Sequence, residues 1–205
     1  MGTIERMRPD EWVAGLHEFC RRLVTPESVV VEIGSFAGES TVVFAQHAKL
    51  VHAIDPWPAS YAQDIVAGCG NPQIRAVVGQ LGVADMSRIE AIFDARIKPC
   101  GNVRKMKARD ADVVGLFADG SIDCVYIDSI HTYEVVRDAI RRWLPKVKPG
   151  GVCAGHDYLK SDWPGVVAAV NEAFGAPGVV FPDTSWAVRL AETPNPKASR
   201  IQTPV

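Results

Sequence analysis

The stretch "VVVEIGSFAGES", residues Val29 to Ser40, decides the fold. Three valines, an acid and an isoleucine form a short, largely apolar run. Two glycines four apart and a serine follow. A short run of this kind reads as a strand buried on both faces. The glycines allow a tight turn into a helix. The spacing is GxxxG rather than the GxGxxG of dinucleotide binders, and Phe36 stands where that fingerprint wants a glycine beside pyrophosphate. The pattern GxxxxGK[ST] is absent, which excludes a P-loop. The same glycine pattern argues against a nicotinamide dehydrogenase. On spacing alone, a plain strand-to-helix turn competes with any ligand-binding reading.

Outward from this stretch, strand and helix signals alternate. Residues 11–23 read as a helix with Trp12, Leu16, Phe19 and Leu23 on one face. Helices are also expected at 38–47, 60–67, 83–96, 110–117, 132–144 and 163–174. Strands are expected at 29–33, 50–55, 102–107, 122–128, after the turn "KPGG" (148–151), and at 179–181 and 186–190. Strands apolar throughout and separated by helices imply a doubly wound α/β domain with helices on both faces of a mainly parallel sheet. One domain is expected over residues 1–192. Residues 193–205, with three prolines and little apolar content, read as a loose tail. The connection 57–101 is 45 residues long, longer than an ordinary link between strand and helix. A lid, an arm for a homodimer, or extra helical packing would each explain it.

Composition narrows the function. The chain has 205 residues, 47% of them hydrophobic and 22% charged, with a formal net charge of −2. Those values suit an ordinary globular domain. A near-neutral chain without a basic stripe does not point to nucleic acid or an anionic membrane. No apolar run has the length of a membrane span, and the first residues do not resemble a secretory signal. The five cysteines form no CxxC pair, and Cys124 and Cys153 sit in apolar runs as buried thiols would. A cytoplasmic protein is expected.

In a doubly wound sheet the ligand lies beyond the carboxyl ends of the strands. The residues just after each strand therefore carry the argument. Glu32, two residues before Gly34, suits a cationic group better than a pyrophosphate. Asp55 follows Glu32 by 23 residues, one βαβ half-unit. An acid there can accept hydrogen bonds from ribose hydroxyls. Asp110 either reaches an adenine amino group or caps the next helix. Asp128 and His131 follow the fourth strand, and His156 and Asp157 follow the fifth. Two acids and two histidines thus converge on one sheet edge, where functional loops sit. His17, His47 and His52 are not so placed and read as structural or surface residues.

Four motifs in order then resemble a known family. They are "ExGxxxG" after the first strand, the acid after the second, "VYIDSIHTYE" at the fourth and "KPGG…GHDY" at the fifth. Together, over roughly residues 29–158, they resemble class I S-adenosylmethionine-dependent methyltransferases. The nearest likeness is to small catechol-type O-methyltransferases and to a bacterial group with an "IDGxHxYE…GHDY" pattern. The resemblance implies a seven-stranded sheet of order 3-2-1-4-5-7-6 with the last strand antiparallel. It implies S-adenosylmethionine as cofactor and a hydroxylated small molecule as acceptor. Gly34, Ser35, Phe36 and Gly38 would line the methionine moiety. Glu32 would face its ammonium and Ser40 its carboxylate. Asp55 and the adjoining Trp57 would border the ribose, and Asp110 would lie near adenine.

Asp128 and Asp157 match positions that hold a divalent cation in metal-dependent members, and His156 replaces a carboxylate next to the second. Either Asp128, His156 and Asp157 hold an ion such as Mg²⁺ or Mn²⁺, or no metal binds and His156 acts as base or substrate contact. His131 falls where catechol-type enzymes carry a catalytic lysine, and an imidazole is a suitable base for a hydroxyl. Tyr158, Trp163 and Trp186 are candidates for an aromatic wall around the acceptor. A binding protein for the same cofactor without methyl transfer, a sensor or scaffold, is the alternative. The acceptor itself is not encoded in any motif.

Overall fold

The computed structural model describes residues 8, 10–58, 69–72 and 86–192. The helix expected at 60–67, residues 83–85 of the next and the tail at 193–205 lie outside them. Seven strands form one sheet: β1 (Val29–Ile33), β2 (Leu50–Asp55), β3 (Val103–Lys107), β4 (Ile122–Ile127), β5 (Val147–Gly155), β6 (Val179–Val180) and β7 (Trp186–Arg189). Their spatial order is β3-β2-β1-β4-β5-β7-β6, as expected. β1 pairs in parallel with β2 and β4, while β7 runs antiparallel to β5.

Among the described residues, six α-helices flank the sheet: α1 (Asp10–Leu23), α2 (Glu39–His47), α3 (Met86–Ile97), α4 (Asp110–Val113), α5 (Tyr133–Trp143) and α6 (Pro164–Phe174). Side-chain alternation along the strands divides the core in two. Val30 and Tyr126 face Leu16, Phe19, Phe44 and Phe93 on one side. Val31, Ile33 and Val125 face Ile140, Trp143, Val166 and Trp186 on the other. None of the described helices is long and apolar enough to cross a membrane.

Local chemistry explains the element ends. α1 begins with Asp10 and Glu11 and closes with Arg21 and Arg22, which matches its macrodipole at both ends. Thr132 caps α5, its hydroxyl accepting from the Val135 amide at 3.4 Å. α2 begins at Glu39, one residue later than the glycine spacing suggests, because Gly38 is left-handed at φ +81°. The helix expected at 110–117 splits into the four residues of α4 and a 3-10 turn at Val114–Leu116. "KPGG" does not precede the fifth strand but lies within it. The register jumps from Ile122 opposite Val147 to Cys124 opposite Val152, so extra residues of β5 bulge out, with Gly150 at φ +75°.

His17 Nδ1 and His47 Nε2 meet at 3.1 Å between α1 and α2, and His52 stands edge-on to Phe117. All five cysteines are free, and burial pushes the Cys153 thiol up to about 12.

Candidate functional site

The carboxyl ends of β1 and β2 are tied to each other by the backbone. Asp55 Oδ2 accepts from the Phe36 amide at 3.0 Å, and Oδ1 accepts from the Trp57 amide at 2.8 Å. The Trp57 indole returns a bond to the Phe36 carbonyl at 2.8 Å. Phe36 and Trp57 both hold positive φ, +41° and +36°, a conformation L-residues rarely keep without support. Asp55 thus fixes two strained turns. Trp57 packs on Phe93 with ring centroids 4.8 Å apart and is buried. Its indole therefore braces the turn from within.

Gly34 is needed for a reason the sequence did not suggest. It sits at φ +91°, and a Cβ there would lie 2.0 Å from the Asp128 carbonyl oxygen. The close neighbour is the end of β4, inside the protein. Gly38, at φ +81°, would set a Cβ 2.9 Å from the Phe93 ring. The glycines thus bring the β1 turn against β4 and α3.

Glu32 is fully buried on β1. Its Oε2 accepts from the Thr41 hydroxyl, while Oε1 has no hydrogen-bond partner. Burial pushes the Glu32 carboxyl above its ordinary range, opposed by the nearby Ser40, Thr41 and Ser35 hydroxyls. The Ser35 hydroxyl is likewise buried without a partner. Ser40 is buried in the first turn of α2. Unpaired buried acceptors are costly, and a bound ammonium would satisfy both Glu32 Oε1 and Ser35 Oγ. The site therefore fits the cationic end of an amino-acid ligand.

Asp110 departs from its expected surroundings. Its Oδ2 accepts from Arg142 Nε at 3.1 Å, Arg142 Nη2 at 2.9 Å and Trp143 Nε1 at 3.1 Å. Neither expected role describes this job, which is to tie α4 to the end of α5.

The ends of β4 and β5 carry the ionisable cluster. The ladder continues past both strands, with the Asp128 amide on the Ile33 carbonyl at 2.8 Å and the His156 amide on the Ile127 carbonyl at 3.0 Å. His131 Nε2 lies 2.7 Å from Asp157 Oδ2 and 3.6 Å from Asp128 Oδ1. Donor atoms of Asp128, His131 and Asp157 all fall within 4.8 Å of one another. That set can hold a metal ion, and it contains His131 where the sequence suggested His156. His156 is buried beside it, with Nδ1 3.2 Å from Asp157 Oδ1 and Nε2 unpartnered. Asp157 holds φ +61° just past β5, a third strained residue at a strand end.

Charge sets the protonation states here. Burial alone would lower His131, but Asp157 and Asp128 outweigh it and raise the imidazole to about 9. Against the same penalty of burial, His156 and His131 hold Asp157 well below the usual carboxylate range. His156 and Arg8 hold Asp128 down as well. Two carboxylates therefore face an imidazolium and a guanidinium.

Arg8 and Trp12 are functional neighbours that no motif flagged. Arg8 Nη2 pairs with Asp128 Oδ2, and its amide donates to Glu39 Oε2 at 3.1 Å. Trp12 on α1 stands 5.7 Å from the His156 ring, centroid to centroid. Across the cluster, Trp163 stacks on His131 at 4.2 Å with the rings tilted by 30°. Of the expected aromatic wall only Trp163 touches this cluster. Trp186 is fully buried in the core, and the Tyr158 hydroxyl donates to Asn171 at 2.8 Å.

Comparisons with known proteins agree with this geometry. Residues 31–158, more than half of the chain, match the family model described as a methyltransferase domain. No curated protein matches the sequence. Among solved structures, the O-methyltransferase NovP is 14% identical, with 91% of this chain and 82% of that one covered at TM-score 0.63. An rRNA methylase from Streptococcus thermophilus is 15% identical, with coverage of 90% and 99% and TM-score 0.54. The N-methyltransferase NodS from Bradyrhizobium japonicum is 16% identical, with coverage of 89% and 98% and TM-score 0.52. The chain spans about half or less of some larger neighbours, 49% of one and 28% of another. At such identities the likeness is one of fold, and these neighbours include an O-methyltransferase, an N-methyltransferase and an rRNA methylase. The family match, the strand order and the arrangement of the strand ends place this chain among the class I S-adenosylmethionine-dependent methyltransferases.

Proposed function

We propose that the protein moves a methyl group from S-adenosylmethionine to a hydroxyl of a small-molecule acceptor. One observation carries the reading: unpartnered buried acceptors at Glu32 and Ser35 share a sheet edge with the Asp128–His131–Asp157 cluster. The first pair suits the ammonium of a methionine moiety, and the second is equipped to bind and deprotonate a hydroxyl. When bound, S-adenosylmethionine supplies an electrophilic methyl group on a sulfonium that leaves as a neutral thioether.

The chain's own residues do the rest. Glu32 Oε1 and Ser35 Oγ take the ammonium. Ser40 and the start of α2 take the carboxylate, where backbone amides and the helix dipole favour an anion. Asp55, already oriented by the Phe36 and Trp57 amides, borders the ribose hydroxyls. The adenine role of Asp110 falls to its oxygen not bonded to α5. Holding two reactants in line supplies most of the acceleration. His131, pinned by Asp157, takes the hydroxyl proton once it is itself neutral, and His156 Nε2 offers a second polar contact. Trp163, Trp12 and the histidines between them border the acceptor.

A metal-assisted variant is a second reading. It is favoured by the three donor atoms of Asp128, His131 and Asp157 within 4.8 Å of one another. Two carboxylates and an imidazole suit Mn²⁺ or Zn²⁺ better than Mg²⁺, and the ion would lower the pKa of a bound hydroxyl.

The test is methyl transfer from labelled S-adenosylmethionine to a panel of phenols, sugars and other hydroxylated metabolites, with matched amines. Transfer to hydroxyls that falls with His131→Ala supports the reading. Transfer to amines alone overturns it. Cofactor binding without transfer to any acceptor supports a sensor or scaffold instead.

A further inference from the structure

We propose that Arg8 is the resident cation of the β4–β5 edge, seated on Asp128 so that it and a divalent ion bind there in alternation. The inference takes this edge as the acceptor side of the proposed methyl transfer, and its test reads metal binding alone. Asp128 Oδ2 receives Arg8 Nη2, and the donor set able to hold a metal includes that same carboxylate. Arg8 is buried despite its charge. Buried charges persist only when paired, and Asp128 pairs with Arg8 directly while the charges of Asp157 and Asp183 favour its protonated form from further off.

The seat is built at both ends of the residue. The Arg8 amide is fixed to Glu39 Oε2 at the start of α2, and the guanidinium reaches across to the end of β4. A dication entering between Asp128, His131 and Asp157 would meet the guanidinium in a poorly hydrated space, where like charges repel strongly. It would also remove Asp128 from Arg8 and leave a buried cation without its partner. The two cations therefore compete for one carboxylate.

Arg8 has a second feature that a metal would share. Nη1 is buried and has no hydrogen-bond partner among the described residues. With Nη2 on Asp128, Nη1 is the donor left to meet an acceptor oxygen that is losing its proton. Arg8 thereby supplies from the chain the positive charge that an ion would otherwise bring.

The experiment is a calorimetric titration of the full chain with Mn²⁺, in wild type, Arg8→Gln and Arg8→Lys. Removing the competing cation should tighten Mn²⁺ binding by at least about tenfold in Arg8→Gln, while Arg8→Lys should stay close to wild type. Adding Asp128→Asn to Arg8→Gln should abolish the gain. Equal Mn²⁺ affinity in wild type and Arg8→Gln overturns the proposal. So does a wild type that binds Mn²⁺ with a Kd on the order of 1 µM, a result that needs no variant. S-adenosylhomocysteine titrated into the same samples reports an intact fold. Failure of wild type to bind it counts against the proposed function and leaves the Mn²⁺ comparison standing.

Discussion

The two halves of the strand edge, β1–β2 and β4–β5, hold their polar groups by different means. At β1–β2 the main chain does the binding: Asp55 takes two amides, the Trp57 indole takes a carbonyl, and Gly34 lets the turn touch Asp128. What remains open there is an acceptor set, Glu32 Oε1 and Ser35 Oγ. At β4–β5 side chains neutralise one another: Asp128 and Asp157 are matched by Arg8 and His131, with His156 alongside. A main-chain scaffold is preset for one invariant ligand. An ionisable cluster can change protonation and partners, as a varied acceptor requires. The contrast teaches which half should tolerate change in which property.

The largest expected effect falls on the ionisable half. His131→Ala should lower turnover by roughly 100-fold or more, with cofactor affinity within about threefold of wild type. Steady-state rates together with calorimetry check it. A parallel loss of cofactor affinity would break the division between the halves.

Next comes the scaffold half. Asp55→Ala removes the acceptor of two backbone amides as well as the contacts proposed for ribose. S-adenosylhomocysteine affinity should fall by at least about 30-fold, given about 1 kcal/mol or more for each lost bond. Asp55→Asn, which retains one oxygen, should lose less. Glu32→Gln should weaken the same ligand by about tenfold, through loss of a charge-assisted bond to the ammonium. It should leave affinity for 5′-methylthioadenosine, which lacks the amino-acid moiety, unchanged.

The smallest effect is on stability. His131 binds its proton more tightly when folded, at about 9 against an ordinary 6.5. The stability this contributes is fully present below pH 6.5 and lost as pH rises through about 9. Unfolding free energy should therefore decline over that interval, and His131→Gln should flatten the slope. Chemical denaturation at a series of pH values measures it. The same imidazole sharpens the catalytic comparison: its neutral, basic form gains population only as pH approaches 9.

The strand ends were legible because their residues are adjacent to apolar runs. Glu32, Asp55, Asp128 and Asp157 could each be placed by counting from a strand, and the sheet order followed from the motif sequence. Arg8 and Trp12 were not legible. They reach the site only through the packing of α1 across the sheet, which no local pattern encodes. His131 replaced His156 in the metal-capable set because the turn after β4 brings its ring back over both acids. The tryptophans divide, with Trp163 on the cluster and others in the core, for a plain reason. A large apolar ring fits a core as readily as a pocket, and Trp57 and Trp186 are core. Asp110 similarly found two side-chain donors on α5, at positions Arg142 and Trp143 that no spacing rule connects to it.

The central claim is that this edge binds the methionine and ribose of S-adenosylmethionine. Calorimetric titration with S-adenosylhomocysteine tests it most directly. The account predicts one site on wild type and binding weaker by at least about 30-fold in folded Asp55→Ala. Folded wild-type protein that takes up no S-adenosylhomocysteine would contradict it.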